Sequence, residues 1–142
     1  MDVKKVLPEK LFTETHFEQL TSILDLLADA VYVTDQEGTI RYVNRAQVQI
    51  AGYSREDLVG MNALTFLTEP SQRRAIRAFF ELRENKNEKR RRFQFEARSP
   101  DGELKSYENH LAVLRDENGE FSGTLGVIRD VTGREYRRQS RD

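Results

Sequence analysis

Hydrophobic positions recur along this chain with a period that changes from segment to segment, and each change marks an element. From Glu9 to Ala28 there is neither Gly nor Pro. Phe17, Leu20, Leu24 and Leu27 recur there at spacings of 3, 4 and 3, and Ile23 widens the stripe. That spacing predicts one apolar face on a helix. Such a face serves a helix lying on its own domain, or a short coiled-coil seam between two copies, and it is too short to show sustained heptads. Val31 to Thr34 is a β-rich run that stops at Asp35, and Thr39 to Val43 returns as a second strand. Asp35 to Gly38 carries turn chemistry, with Asp to bond the turn and Gly to accept positive φ. Asn44 is placed to cap a helix over Ala46 to Ala51 that Gly52 ends. Ser54, with Asp57 three residues on, starts another turn of helix, anchored by Leu58 and Val59 and ended at Gly60.

Pro70 to Glu84 predicts the longest central helix. Ile76, Phe79 and Phe80 share a face at i, i+3 and i+4, with Arg73, Arg74 and Arg77 on the other sides. The period then drops to two. Phe93, Phe95 and Ala97 alternate with Gln94, Glu96 and Arg98, and Tyr107, Asn109, Leu111 and Val113 alternate with Glu108, His110, Ala112 and Leu114. Asp101-Gly102 and Asn118-Gly119 turn these strands, and Phe121 to Val131 is the last of them. Thr132-Gly133-Arg134-Glu135 reads as a capping box opening a polar helix. The order is helix, two strands, several helices, three strands, helix. Strands and helices segregated in this way predict an α+β domain with an antiparallel sheet.

Composition narrows the function. The 142 residues suit one domain with an ordinary core. A formal net charge of -1 gives no general reason for nucleic acid or an anionic membrane to bind. Cys is absent, which excludes disulfides, thiolate metal sites and cysteine nucleophiles. No apolar run approaches the roughly 20 residues of a membrane span, and Met1 to Pro8 is too short and polar for a secretory signal. The chain reads as soluble and cytoplasmic, with a flexible start over residues 1–8.

Several short motifs fall in order: Thr34-Asp35 with Gly38, Tyr42-Val43-Asn44, Gly52-Tyr53-Ser54, Leu58-Val59-Gly60, Asp101-Gly102, Arg115-Asp116 with Gly119, and Asp130-Val131-Thr132. In this combination and spacing, residues 20–132 resemble the PAS domain family with its C-terminal PAC motif, the sensory-box signalling module. The resemblance covers about four fifths of the chain. It implies a five-stranded antiparallel sheet in the order 2-1-5-4-3, helices on one face, and a small cavity between helices and sheet. Residues 1–19 are then a start and flanking helix, and 133–142 the beginning of a connector helix.

The resemblance also sorts faces. It turns Tyr32 and Thr34 toward the cavity and Val31, Val33, Ile40 and Tyr42 outward, where the flanking helix would cover them with Leu20, Ile23, Leu24 and Leu27. The ligand-binding candidates it implies on the strands are Tyr32, Thr34, Val43, Phe95, Tyr107, Asn109, Leu111 and Ile128. Those from the helical segments are Phe66, Ile76 and Phe80. Asp130 and Thr132 are the expected signal exit, and Phe17 with the leucine face is the expected dimer surface. Haem-binding members use an axial His on or near the long helix, and residues 70–84 hold none. Photochemical flavin-binding members carry a reactive Cys after Gly60, where Ala63 is the nearest match here. Haem and covalent flavin photochemistry are therefore disfavoured, and the cofactor stays unknown.

The chemistry-bearing residues are few. Asn109 is an inward amide that needs partners. It would bond a ligand, or sit satisfied on Thr34, Thr124 or a water. His16 and His110 form no metal cluster. Lys89-Arg90-Arg91-Arg92, flanked by Glu88 and Glu96, lacks the interleaved aromatics of a nucleic-acid surface and suits a solvated strand entry. No nucleophile-base pair, phosphate loop or catalytic carboxylate pair can be assembled. The expectation is a non-enzymatic sensor module of a longer protein, a histidine kinase, cyclic-dinucleotide enzyme or transcription regulator. It would bind a small apolar or amphipathic ligand, form a homodimer, or do both. The alternative is a ligand-free dimerisation module.

Overall fold

A computed structural model describes the backbone of residues 14–133 and the side chains of residues 18–133. The expected flexible start, the side chains of His16 and Phe17 and the connector over 134–142 lie outside the described residues. The elements are α1 (Glu14–Leu26), β1 (Ala30–Asp35), β2 (Ile40–Val43), α2 (Arg45–Ala51), α3 (Arg55–Leu58), a 3-10 turn (Ala63–Phe66), α4 (Glu69–Glu84), β3 (Arg90–Arg98), β4 (Leu104–Arg115) and β5 (Phe121–Asp130). The sheet is antiparallel and runs β2-β1-β5-β4-β3, the order expected from sequence.

Local chemistry accounts for most boundaries. Asp35 Oδ1 accepts the N–H groups of Glu37 and Thr39 and closes the first hairpin. Asn44 accepts the Gln47 N–H to cap α2, and Gly52 ends it at φ 79° in the left-handed region. Ser54 accepts the Asp57 N–H and starts α3. Among the described residues no helix is long and apolar enough to cross a membrane.

Two face assignments are corrected. Ile40, expected outward, is buried on the inner side with Val43 and Leu58. The pairing of β1 with β2 steps from Val33↔Tyr42 to Thr34↔Ile40, which leaves Arg41 unopposed. One extra residue in a strand moves every side chain beyond it to the opposite face. The unopposed Arg41 turns its guanidinium onto Asp35 Oδ2, 2.7 Å away. Burial raises the Asp35 carboxyl, but the Glu37 and Thr39 N–H groups and Arg41 outweigh it and hold the group below the usual carboxylate range.

The second correction concerns α4. Ile76 and Phe80, expected against the cavity, are 53% and 61% exposed. The helix buries Ser71, Ala78 and Leu82 instead. Small side chains let it lie close to the sheet, and the Ser71 hydroxyl accepts the Glu96 N–H of β3 at 2.7 Å. The bulky residues are left at the rim, where Phe79 meets Phe121 edge-on.

The outer face carries Val33 and Tyr42, packed with Leu24 of α1, Leu114 and Leu125. The Tyr42 hydroxyl donates to Asp25 Oδ1 at 3.1 Å. So α1 does cover this face, but chiefly through Leu24. Leu20, Ile23 and Leu27, expected to share the work, are exposed, as is Leu26 at 85%.

Candidate functional site

The inner face of the sheet and the helical segments enclose a hollow of about 110 Å³. Tyr32, Val43, Phe95, Tyr107, Asn109 and Ile128 reach it from the strands. Phe66 comes from the 3-10 turn, and Gln47 and Ala51 come from α2. A second hollow, about 240 Å³, continues toward α4, with Thr34, Leu111 and Thr124 on its floor and Ile76 and Phe80 at its rim. Tyr32 borders both. The sequence-derived candidates thus divide between two adjoining spaces.

Backbone choices set the position of Tyr32. It pairs with Gly126 across β1 and β5. A Cβ at position 126 would stand 2.2 Å from Tyr32 Cε1, so the ring lies flat on the sheet only because residue 126 has no side chain. Asn109 Nδ2 donates to the Tyr32 hydroxyl at 2.7 Å. Thr34 and Thr124, the other expected partners of Asn109, bond each other instead, oxygen to oxygen at 2.5 Å. Phe95 stacks on Tyr107 at 5.3 Å between centroids. Two oxygens among these buried groups have no partner, Asn109 Oδ1 and Gln47 Oε1.

Burial pushes the Tyr32 phenol up to about 12, against the Asn109 hydrogen bond, which pulls it down. Tyr107 is likewise raised to about 12, by burial first and then by the Asp130 and Glu103 carboxylates. An unfolded tyrosine ionises near about 10. Between these values the unfolded chain has shed protons that the folded chain keeps, so stability falls as pH rises above about 10. Urea unfolding across this range should show that decline, and Tyr32→Phe should make it shallower. A slope unchanged by the substitution would contradict the assignment to Tyr32.

At the end of β5, Asp130 Oδ1 accepts the Thr132 N–H at 3.0 Å and its hydroxyl at 2.7 Å. The Thr132 hydroxyl in turn accepts the Ser106 N–H of β4. Asp130 therefore closes its own turn, and Thr132 ties the exit to β4. On the outer face, His110 Nε2 lies 2.8 Å from Glu108 Oε1, and this contact is the main cause holding Glu108 below the usual carboxylate range. Two residues of the basic run are paired locally: Arg91 reaches Glu88 and Glu81, and Arg92 approaches Glu108.

Sequence reasoning missed Gln47, Tyr53 and the role of Gly126, though the resemblance turns Gly126 toward the cavity. Gln47 stands three residues after Asn44, where the pattern reads as a helix cap. It shares a helical face with Ala51 at i+4, but only the structure shows that this face lines the hollow. The role of Gly126 had no signal, because its need arises from a ring on another strand.

This sheet, its helical cover and the hollow between them define a sensory-type α+β domain. A family model described as the PAS fold matches residues 18–131, and the chain belongs to the PAS family. It is 26% identical over 129 residues to the sensor protein kinase WalK of Staphylococcus haemolyticus, covering 91% of this chain and 20% of that protein. The chain therefore spans about a fifth of that relative's length. The crystal structure of a PAS domain from Colwellia psychrerythraea is similar with a TM-score of 0.73 and 24% identity, over 82% of this chain and 98% of the other. A PAS domain of an HTR-like protein from Haloarcula marismortui matches at a TM-score of 0.68 and 25% identity, over 86% and 95%.

Proposed function

We propose that residues 20–132 are the sensing domain of a longer cytoplasmic signal-transduction protein, and that the domain itself is non-enzymatic. It takes a small molecule into the inner hollow, and occupancy shifts the balance between two states of the domain. The observation that carries this reading is the half-open hollow beside Tyr32, lined by aromatic side chains and two buried amides. Predominantly apolar hollows with a few placed polar groups suit small ligands. Relatives among sensor kinases favour a kinase as the parent, with Asp130 and Thr132 at the exit toward its effector. A ligand acts only if it binds the two states unequally.

Homodimerisation through α1 is a second reading, favoured by the exposed Ile23, Leu26 and Leu27 on a helix already seated on the sheet. It is compatible with the first. Native mass spectrometry of the purified chain, followed by extraction and a thermal-shift screen of small molecules, tests both. The expected result is a dimer and at least one compound that raises the melting temperature. A monomer with Ile23 and Leu27 freely replaceable would remove the second reading. A folded chain that neither carries nor responds to any small molecule would remove the first.

A further inference from the structure

The inner hollow has a polarity that narrows what it accepts. Asn109 is 2% exposed and Gln47 9% exposed, and the amide oxygen of each is buried without a partner. Both residues line the same space. Asn109 Nδ2 gives one of its two N–H groups to the Tyr32 hydroxyl, and the atom left wholly unpaired is the acceptor Oδ1. An unpaired buried acceptor is costly, and an incoming donor removes that cost. The rest of the wall is hydrocarbon and aromatic ring, including Tyr53, Phe66 and Phe95.

Charge and size narrow it further. Among the described residues no carboxylate lines the hollow, so a buried cation would be unpaired. The one charged residue among those described in its lining, Arg98, is exposed and donates to the Gly102 carbonyl at 3.1 Å, so a buried anion has no committed partner either. The volume of about 110 Å³ is of the order of the about 150 Å³ apolar cavity that takes benzene, and the hollow is half open and shares Tyr32, Ala63, Leu64 and Ala75 with the second hollow, so one ring seats in it together with its substituent.

We infer that the hollow selects a compact, uncharged hydrogen-bond donor, no larger than about a single substituted six-membered ring, whose donor groups are received by the amide oxygens of Asn109 and Gln47. This rests on the sensing reading proposed above and adds the ligand class to it. Selection arises because a ring without a donor leaves the two oxygens unpaired, and a ring carrying only an acceptor sets oxygen or nitrogen lone pairs against them.

The test uses four probes of similar size and little charge near pH 8: aniline, phenol, toluene and pyridine. Affinities are read from chemical-shift titrations of the intact chain, following the side-chain amide signals of Asn109 and Gln47. Aniline and phenol should bind at least about tenfold tighter than toluene and pyridine, the ratio that one satisfied acceptor supports. In Asn109→Leu and Gln47→Met, which keep the volume, that preference should shrink toward equality while toluene binding holds or improves. Should one variant fail to fold, the other carries the comparison. Toluene binding as tightly as aniline would overturn the donor class and leave the sensing reading standing, since water then satisfies the amides. Pyridine ahead of aniline would overturn it as well, by showing the amides turned the other way. No binding of any probe at millimolar concentration by a folded chain would overturn the ligand class and remove this hollow as the sensing site.

Discussion

Gly123→Ala is expected to destabilise the domain by more than about 3 kcal/mol. Gly123 pairs with Asp35 of β1 on one side and Leu114 of β4 on the other, so it sits inside the sheet. Its φ of 157° is one that side chains rarely adopt, and a Cβ there would lie 2.1 Å from the Thr34 carbonyl oxygen. That oxygen belongs to backbone and cannot swing away, so relief requires β1 and β5 to part. Parting them also breaks the Thr34–Thr124 hydroxyl pair that adjoins the second hollow. Gly102 and Gly119 are useful controls, because a Cβ at either meets nothing within 4 Å and only the positive φ is strained. Alanine at those positions should cost about 1 kcal/mol. Urea unfolding of the three variants checks the ranking, and a Gly123→Ala protein as stable as the controls would refute it.

Asn44→Ala should be nearly as damaging, at about 3 kcal/mol, because one side chain serves three elements. Asn44 is completely buried. Its Oδ1 accepts the N–H groups of Val31 in β1, at 2.9 Å, and of Gln47 in α2, at 3.0 Å. Its Nδ2 donates to the carbonyls of Leu24 in α1, at 2.8 Å, and Asp29, at 3.0 Å. Alanine leaves all four backbone groups without this partner. Asn44→Asp separates the roles, since the carboxylate still caps α2 but cannot donate to the α1 side. Hydrogen exchange should then show lost protection in α1 and retained protection at Gln47, whereas Asn44→Ala exposes both. Equal protection of α1 in wild type and Asn44→Asp would show that Leu24 packing alone holds the helix.

The same residue shows how far sequence carries. The capping role of Asn44 is visible because its partner is Gln47, three positions along the chain. Its bonds to Leu24 and Asp29 are not, because nothing in the spacing says where the end of α1 will lie. The alternation of β3, β4 and β5 was legible for the same reason as the cap: adjacent side chains in a strand must point to opposite faces. Ile40 escaped because a single unopposed residue, Arg41, breaks that rule between β1 and β2. Ile76 and Phe80 escaped because hydrophobic periodicity finds a helical face without saying how closely the helix must approach. Here Ser71 and Ala78 permit a close approach that bulky residues would prevent, and Leu82 fills the space behind them.

Sequence alone determined the turns, the caps, the strand alternation and, through an ordered set of short motifs, the PAS fold with its strand order. The turns, caps and alternation depend on interactions over a few residues, while the strand order was implied by the family resemblance that the motifs carry. Tertiary structure alone decided the character of the site. The Asn109–Tyr32 hydrogen bond joins residues 77 positions apart, and the Thr34–Thr124 pair spans 90. Only when β1 lies against β5 does Gly126 receive the Tyr32 ring. Only when α2 lies over that ring do the amide oxygens of Gln47 and Asn109 share one hollow, and their burial there is what makes an unpaired acceptor a basis for selection.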